Sequence, residues 1–143
     1  MKLEWKSALE GIHWKALSAL YQQTPLGYRE PEDLETAFAN SLFRCFVFEQ
    51  DRLVGVGRAL GDGVDCAYIC DVAVLPQYQG LGIGREIVAR LVEQSRGHRK
   101  IILYVCPGKE PFYRKFGFRR MRTAMAIFAN QDQAIESGLL AET

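Results

Sequence analysis

The feature that most constrains the fold of this chain is an apolar run followed by a glycine-rich bend and an amphipathic segment. Residues 66–75 are almost uninterruptedly apolar, which is typical of a central strand buried on both faces. Glycines then alternate through 80–84, and apolar residues recur at spacings of three and four through 83–96, which predicts a helix. A second apolar run, 100–105, follows. A strand, a crossover helix and another strand predict a right-handed parallel unit.

Shorter patterns surround this unit. Two β-branched or aromatic runs, 44–50 and 53–60, are separated by Asp51 and Arg52, which predicts an antiparallel hairpin. The other predicted elements are a first strand over 2–6, helices over 13–22, 31–41 and 110–116, and a final strand over 123–129. We therefore expect an α/β (α+β) fold, with a mixed, mostly antiparallel central sheet flanked by about four helices. The length of 143 residues predicts one domain, 1–143.

Composition narrows the class of protein. The chain is 48% apolar and 24% charged with a net charge of +1, which suits a globular core and gives no reason to expect nucleic-acid binding. No apolar stretch approaches the ~18 residues of a membrane span, and residues 1–11 lack the apolar core of a signal peptide, so a cytoplasmic protein is expected. The four cysteines show no Cys-x-x-Cys spacing, so no metal is expected.

The bend between the strand and the helix has the features of an anion site. Glycines let the backbone approach a ligand closely, and a helix start presents unpaired N–H groups and a positive dipole end, which together suit a pyrophosphate. A P-loop requires Lys and Ser or Thr after its last glycine, whereas Arg85 and Glu86 follow Gly84. The glycine spacing also differs from the dinucleotide-binding fingerprint. A bend that serves packing alone is the remaining alternative.

Three segments together resemble one known family. The segment Gln79–Gly84 (QGLGIG) is similar to the Q/R-x-x-G-x-G/A signature of the GNAT acetyltransferase superfamily. Asp71–Val74 resembles the fourth strand of that family, and Phe112–Phe118 resembles its later F-Y-x-x-x-G-F segment. Their order and separation match, so the resemblance covers roughly residues 2–129. Residues 32–79 also resemble the plant and cyanobacterial arylalkylamine N-acetyltransferase branch.

The resemblance implies an enzyme that moves an acetyl group from acetyl-CoA directly to a primary amine, with no metal. It implies that the backbone of Val72, Ala73 and Val74 pairs with the pantetheine arm, and that an N–H near Val74 polarises the thioester carbonyl. Tyr113 is then the general acid near the coenzyme sulfur. The implied pyrophosphate site consists of backbone N–H groups from Gln79, Gly80, Leu81, Gly82, Ile83, Gly84 and Arg85.

For several of these residues the sequence leaves more than one role open. Tyr113 could instead be a core aromatic on a short helix. Asp71, the one carboxylate in its apolar run, could be the base that accepts the amine proton through water, or a structural acceptor for nearby loop N–H groups. Tyr68 occupies the position where some family members carry a glutamate base, and its phenol could relay a proton. Cys106 stands where many relatives have an asparagine that contacts the coenzyme arm.

Two classes of function remain open at this stage. The first is an N-acetyltransferase acting on a small amine or on a protein lysine or N-terminal amine; the second is a module that binds or senses acetyl-CoA without turnover. Acidic residues from Glu30 to Glu35 could attract a cationic amine or be ordinary charges of a first helical turn. The family resemblance also suggests a homodimer.

Overall fold

A computed structural model describes residues 1–143, which divide into two compact units, Met1–Leu103 and Tyr104–Thr143. The first unit holds a five-stranded sheet. Its strands are β1 (Leu3–Lys6), β2 (Phe43–Glu49), β3 (Arg52–Gly61), β4 (Cys66–Val74) and β5 (Lys100–Ile102). Its helices are α1 (Trp14–Gln22), α2 (Pro31–Ala39) and α3 (Ile83–Ser95). The prediction of one domain over 1–143 stays a prediction.

The sheet has the order β1-β2-β3-β4-β5. Neighbouring strands from β1 to β4 are antiparallel, whereas β4 and β5 are parallel and joined through α3. The mixed, mostly antiparallel sheet and the crossover unit predicted from the sequence are therefore confirmed. No helix in the chain combines the length and the apolar character that crossing a bilayer requires.

The core lies on both faces of this sheet. Gly57 of β3 lies against Ile87 of α3, whereas the guanidinium of the next residue, Arg58, lies 5.7 Å from the ring centroid of Phe38 in α2. Because successive residues of a strand point to opposite faces, α3 covers one face and α2 the other. Both Ile87 and Phe38 are fully buried.

Close packing of α3 on the sheet explains two glycines in β3. A Cβ at Gly57 would lie 2.7 Å from Cγ2 of Ile87, and one at Gly55 would lie 3.1 Å from Cγ2 of Ile83. The first distance is shorter than van der Waals contact allows, so a larger residue at position 57 would push the helix away. α3 is thereby held close to the part of the sheet where β3 faces β4.

The second unit contains two short helices, α4 (Glu110–Arg114) and α5 (Gln131–Glu136). The strand predicted over 123–129 is wrong, because these residues form no strand pairing and Met125 and Ile127 are 96% and 95% exposed. An apolar segment forms a strand only where a neighbouring strand supplies a hydrogen-bonded ladder. For the same reason β5 ends at Ile102, earlier than the predicted residue 105.

Burial of β4 also differs from the expectation. Its residues alternate between buried and half-buried, with Ala67 and Ile69 buried and Tyr68 and Cys70 half-buried. The apolar run does not therefore correspond to a strand buried on both faces. β4 lies one strand from the sheet edge, and one of its faces stays partly accessible.

Candidate active site

An open backbone edge is the first element of the site. β4 pairs with β5 only through Cys66, Ala67 and Tyr68. Beyond Tyr68 the residues up to Val74 have no strand partner on the β5 side of the sheet, although they continue to pair with β3 on the other side. An unpaired edge of this kind can accept an extended ligand as if it were an added strand.

A β-bulge interrupts β4 within this open stretch. Val56 faces Ala73 and Arg58 faces Cys70, so two β4 residues, Asp71 and Val72, lie opposite the single residue Gly57. Asp71 has φ of 58°, in the left-handed region that L-residues other than Asn and Asp rarely enter. The left-handed residue marks the first position of the bulge.

The bulge determines which backbone groups reach the open edge. After it, the N–H of Leu75 donates to the carbonyl oxygen of Val54 at 2.9 Å, so Leu75 and the alternate residue Ala73 face β3. Val74, which lies between them opposite Gly55, therefore directs its N–H and C=O away from β3. This geometry suits the N–H donor that the family resemblance placed near Val74.

Residues before the bulge have the opposite alternation. The carbonyl oxygen of Cys66 accepts from the N–H of Asp62 at 3.3 Å, so Cys66 and the alternate residues Tyr68 and Cys70 face β3. If that alternation continued without the bulge, Val74 would also face β3. The extra residue thus turns the backbone of Val74 toward the open edge.

The glycine-rich bend follows directly. Residues Pro76–Tyr78 form one 3-10 turn, and Gly80 and Gly82 then adopt φ of 79° and 85°. These angles explain why glycine occupies both positions. Neither glycine has an atom within 4 Å of where a Cβ would stand, so the space beside the bend is open. The side chain of Gln79 donates to the carbonyl oxygen of Val74 at 3.1 Å and ties the bend to the end of β4.

The start of α3 supplies unpaired donors. Gly82 is the N-cap residue, and the first intrahelical bond runs from the N–H of Glu86 to the carbonyl oxygen of Gly82 at 3.1 Å. The N–H groups of Ile83, Gly84 and Arg85 therefore have no acceptor within the helix. Together with the helix dipole they could bind an anion beside the exposed bend.

Asp71 is held by three side chains. Its carboxylate oxygen Oδ2 accepts from Nη1 of Arg29 at 2.8 Å and from Nε of Arg58 at 2.7 Å, and its side chain is 9% exposed. Its backbone carbonyl accepts from the hydroxyl of Tyr21 at 2.7 Å. Burial and then the Asp71 carboxylate raise the pKa of Tyr21 well above its ordinary value, so this hydroxyl remains a donor.

The contacts of the Asp71 carboxylate distinguish between its two predicted roles. The sequence suggested a base or an acceptor for loop N–H groups, whereas the structure shows an acceptor for two guanidinium groups. Both guanidinium groups bind the same carboxylate oxygen, and a charge that is taken out of water needs pairing of this kind. The ion pairs with Arg29 and Arg58 therefore favour a structural role, with partners that the sequence did not indicate.

Cys70 precedes the bulge and is not positioned as a nucleophile. Burial, and then the neighbouring Asp71 carboxylate, raise the pKa of its thiol to about 11. The thiol is therefore neutral at pH 7, whereas nucleophilic cysteines act as thiolates. This argues against a covalent acyl-cysteine intermediate at Cys70.

Tyr68 lies on β4 opposite Leu60 of β3 and Ile102 of β5, and it is half-buried. Its backbone therefore belongs to the last three-stranded part of the sheet, where the open edge begins. This placement is compatible with a proton relay and with a structural role alike, and the relay stays a prediction.

Tyr113 belongs to α4 in the second unit. Its ring packs edge-on against Phe112, with ring centroids 5.0 Å apart, and against Phe118 at 6.2 Å. Burial and then the charge of Cys106 raise the pKa of Tyr113, so its phenol is protonated at neutral pH. A protonated phenol on a packed aromatic support satisfies the first requirement for a general acid.

The chain contains no group of three or more His, Cys, Asp or Glu side chains that could hold a metal ion. Three side chains that bind Asp71, those of Tyr21, Arg29 and Arg58, were not identified from the sequence. Arg58 carried a usable signal, because it is the only charged residue within the apolar run 53–60.

The sequence of the chain matches one known family. The sequence profile of the acetyltransferase (GNAT) family matches residues 7–118. The chain therefore belongs to the GNAT acetyltransferase family, and acetyl transfer to an amine is the general activity that this membership supports.

Curated relatives carry compatible names. The chain is 37% identical over 132 residues to serotonin N-acetyltransferase 2, chloroplastic, of Oryza sativa subsp. japonica, covering 86% of this chain and 66% of that protein. It is 33% identical over 108 residues to a ycf52-like N-acetyltransferase of Prochlorococcus marinus, covering 71% of this chain and 60% of that protein. The chain thus spans less than two thirds of the length of these relatives.

Solved structures support the fold. A probable acetyltransferase from methicillin-resistant Staphylococcus aureus superimposes with a TM-score of 0.78 at 25% identity, covering 89% of this chain and 99% of that one. A GNAT family protein from Streptococcus pneumoniae gives 0.77 at 27% identity, covering 91% and 99%. The predicted fold class and family are confirmed by these likenesses.

Proposed function

We propose that this protein is an acetyl-CoA-dependent N-acetyltransferase that transfers the acetyl group directly to a primary amine of a small molecule or a peptide. The observation that carries the proposal is the juxtaposition of the open β4 edge and the exposed helix start that follows it. The β4 edge presents a strand backbone to an extended ligand, and the start of α3 presents unpaired N–H groups to an anion.

The two parts fit two parts of the coenzyme. The pantetheine arm carries amide groups that can pair with the β4 backbone from Val72 to Val74. The pyrophosphate carries negative charge, which the N–H groups of Ile83, Gly84 and Arg85 can bind. Gln79 links these two regions through its bond to the Val74 carbonyl oxygen, so arm and pyrophosphate would be held by one continuous segment.

The chemistry has three requirements. A primary alkylamine with a pKa near 10.4 is neutral in only about one molecule in 2,500 at pH 7, so deprotonation accounts for about 4.6 kcal/mol. The neutral nitrogen then attacks the thioester carbonyl, whose developing negative oxygen needs a donor; the N–H of Val74 supplies it in this proposal. Finally the C–S bond breaks and the thiolate takes a proton.

Tyr113 is the proposed donor of that last proton. A phenol with an ordinary pKa near 10 can protonate a thiolate whose conjugate acid lies near 8.5, at a cost of about 2 kcal/mol. The raised pKa of Tyr113 increases this cost somewhat but keeps the proton in place until the thiolate forms. The tyrosinate regains its proton from solvent or from the amine proton released earlier in the reaction.

Because Asp71 is bound to two arginines, we assign the removal of the amine proton to water rather than to its carboxylate. Among candidate acceptors, an arylalkylamine is the first to assay, because the rice relative is named a serotonin N-acetyltransferase.

The proposal is tested by following thiol release from acetyl-CoA over a panel of arylalkylamines, polyamines, amino sugars and peptides with free amines. Calorimetry with CoA and acetyl-CoA measures binding separately. We expect affinity in the micromolar range and turnover on at least one amine class. Binding without turnover on any amine would support the acetyl-CoA-sensing alternative, and no binding at millimolar concentration would refute both.

A further inference from the structure

The hydrogen bonds around Asp71 join distant parts of the chain at the bulge. Tyr21 comes from α1, Arg29 from the connection between α1 and α2, and Arg58 from β3. All three donate to Asp71, the residue with φ of 58°. We call these four residues the bulge clamp.

The clamp acts on a conformation that the chain does not prefer. A left-handed L-residue is disfavoured, and an ordinary strand with one residue fewer would keep every β4 residue in an uninterrupted ladder with β3. Side chains that bind both the carbonyl and the carboxylate of one residue constrain its backbone and its side chain together. The side chains of Arg58 and Asp71 are only 14% and 9% exposed, so water competes weakly for these bonds.

We propose that Tyr21, Arg29 and Arg58 are positioning residues that hold the β4 bulge, and thereby direct the Val74 N–H toward the acetyl thioester. This inference rests on the proposed function. It assigns catalytic importance to three residues that touch neither the coenzyme nor the reacting atoms in this account. It also gives Asp71 a conformational role in place of a proton-accepting one.

The first test is Tyr21→Phe, which removes a single hydroxyl from the clamp. We expect kcat to fall about tenfold, because one hydrogen bond at the bulge is lost, while KM for acetyl-CoA changes less than about threefold. The carbonyl stretching frequency of bound acetyl-CoA labelled with ¹³C at the thioester carbon should shift back toward its value in water. The control is Val92→Ala, a buried change in α3 that lowers stability but should leave this frequency unchanged.

The second test compares two substitutions of Asp71. Asn tolerates the left-handed region and keeps an acceptor oxygen, whereas Ala does neither. We therefore expect Asp71→Asn to keep at least about a third of the wild-type kcat with an unchanged pH profile, and Asp71→Ala to lose more than about tenfold. Equal losses in both variants, or loss of the acidic limb of the pH profile in Asp71→Asn, would show a proton-accepting carboxylate and overturn the proposal.

A third measurement is independent of the coenzyme. The ³J(HN–Hα) coupling of residue 71, measured by NMR in the wild type and in Tyr21→Phe, reports φ at the bulge. A change in the variant supports the clamp, whereas an unchanged coupling together with unchanged kcat refutes it. If the wild type bound no acetyl-CoA, the proposed function would fail, and this coupling would still decide whether Tyr21 holds the bulge.

Discussion

Substituting Gly57 with alanine tests the contact between α3 and the bulge. The added Cβ would lie 2.7 Å from Cγ2 of Ile87, 3.0 Å from Cδ1 of Leu91 and 3.2 Å from Cγ2 of Val72. These three atoms belong to packed side chains, and two of them lie on fully buried residues of α3. The helix must therefore shift, or its side chains must leave their preferred rotamers.

Overpacking of this kind typically costs 1–3 kcal/mol, and we expect about 2 kcal/mol for Gly57→Ala. For a chain of 143 residues the unfolding entropy is about 0.3 kcal/mol/K, so Tm should fall by about 7 °C. Differential scanning calorimetry and urea titration measure the loss. Gly55→Ala should lose less, because its shortest contact is 3.1 Å.

Two further variants decide whether the cause is steric. Gly97 has no positive φ, and no atom lies within 4 Å of the place where its Cβ would stand, so Gly97→Ala should change Tm by less than about 2 °C. In the double variant Gly57→Ala/Ile87→Ala the new methyl group fills part of the space left by Ile87, so the combined loss should be smaller than the sum of the single losses. Equal Tm values for Gly57→Ala and Gly97→Ala, or strict additivity with Ile87→Ala, would refute the steric explanation.

Three other predictions concern the site itself. Tyr113→Phe should lower kcat by about 10²-fold with little change in acetyl-CoA affinity, and unchanged turnover in the variant would remove Tyr113 from the mechanism. Because burial raises the pKa of Tyr113, the wild-type rate should not fall on the alkaline side until the pH exceeds the usual phenol range. Gly82→Val should weaken acetyl-CoA binding at least tenfold in calorimetry. The control is Gly63→Val, which introduces the same backbone strain at φ of 82° in equally open space and should leave acetyl-CoA binding unchanged. Similar affinities in the two variants would contradict the pyrophosphate assignment. Iodoacetamide at pH 8 should alkylate the exposed Cys106 well before Cys70, because the pKa of the Cys70 thiol is about 11. Mass spectrometry that showed the reverse order would contradict a buried, neutral thiol at Cys70.

Local signals predicted most of the helices and strands correctly. The helix predicted over 83–96 is observed as Ile83–Ser95. Its bounds could be predicted because its start depends on Gly82 and its length depends on apolar residues at spacings of three and four. The hairpin of β2 and β3 was likewise recognisable from two short runs on either side of Asp51. Both features depend on residues close in sequence, so a pattern within a short window is sufficient.

Features that need a distant partner were predicted less well. The apolar residues of 123–129 indicated a strand, but no ladder forms there. The sequence indicated that Asp71 is unusual, but it did not indicate which side chains bind this residue. The Tyr21 hydroxyl that binds its carbonyl lies 50 residues away in sequence, and nothing local to either residue indicates the other.

The sequence by itself determined that a strand runs into a glycine-rich bend and a helix start, and with it the family. These depend on backbone angles that only glycine adopts easily and on N–H groups that every helix start leaves unpaired. The tertiary structure alone decided the register of β4, because a bulge is defined only against the neighbouring strand. It also decided that Asp71 faces two arginines, since these charges meet only when the connection between α1 and α2 packs against β3 and β4.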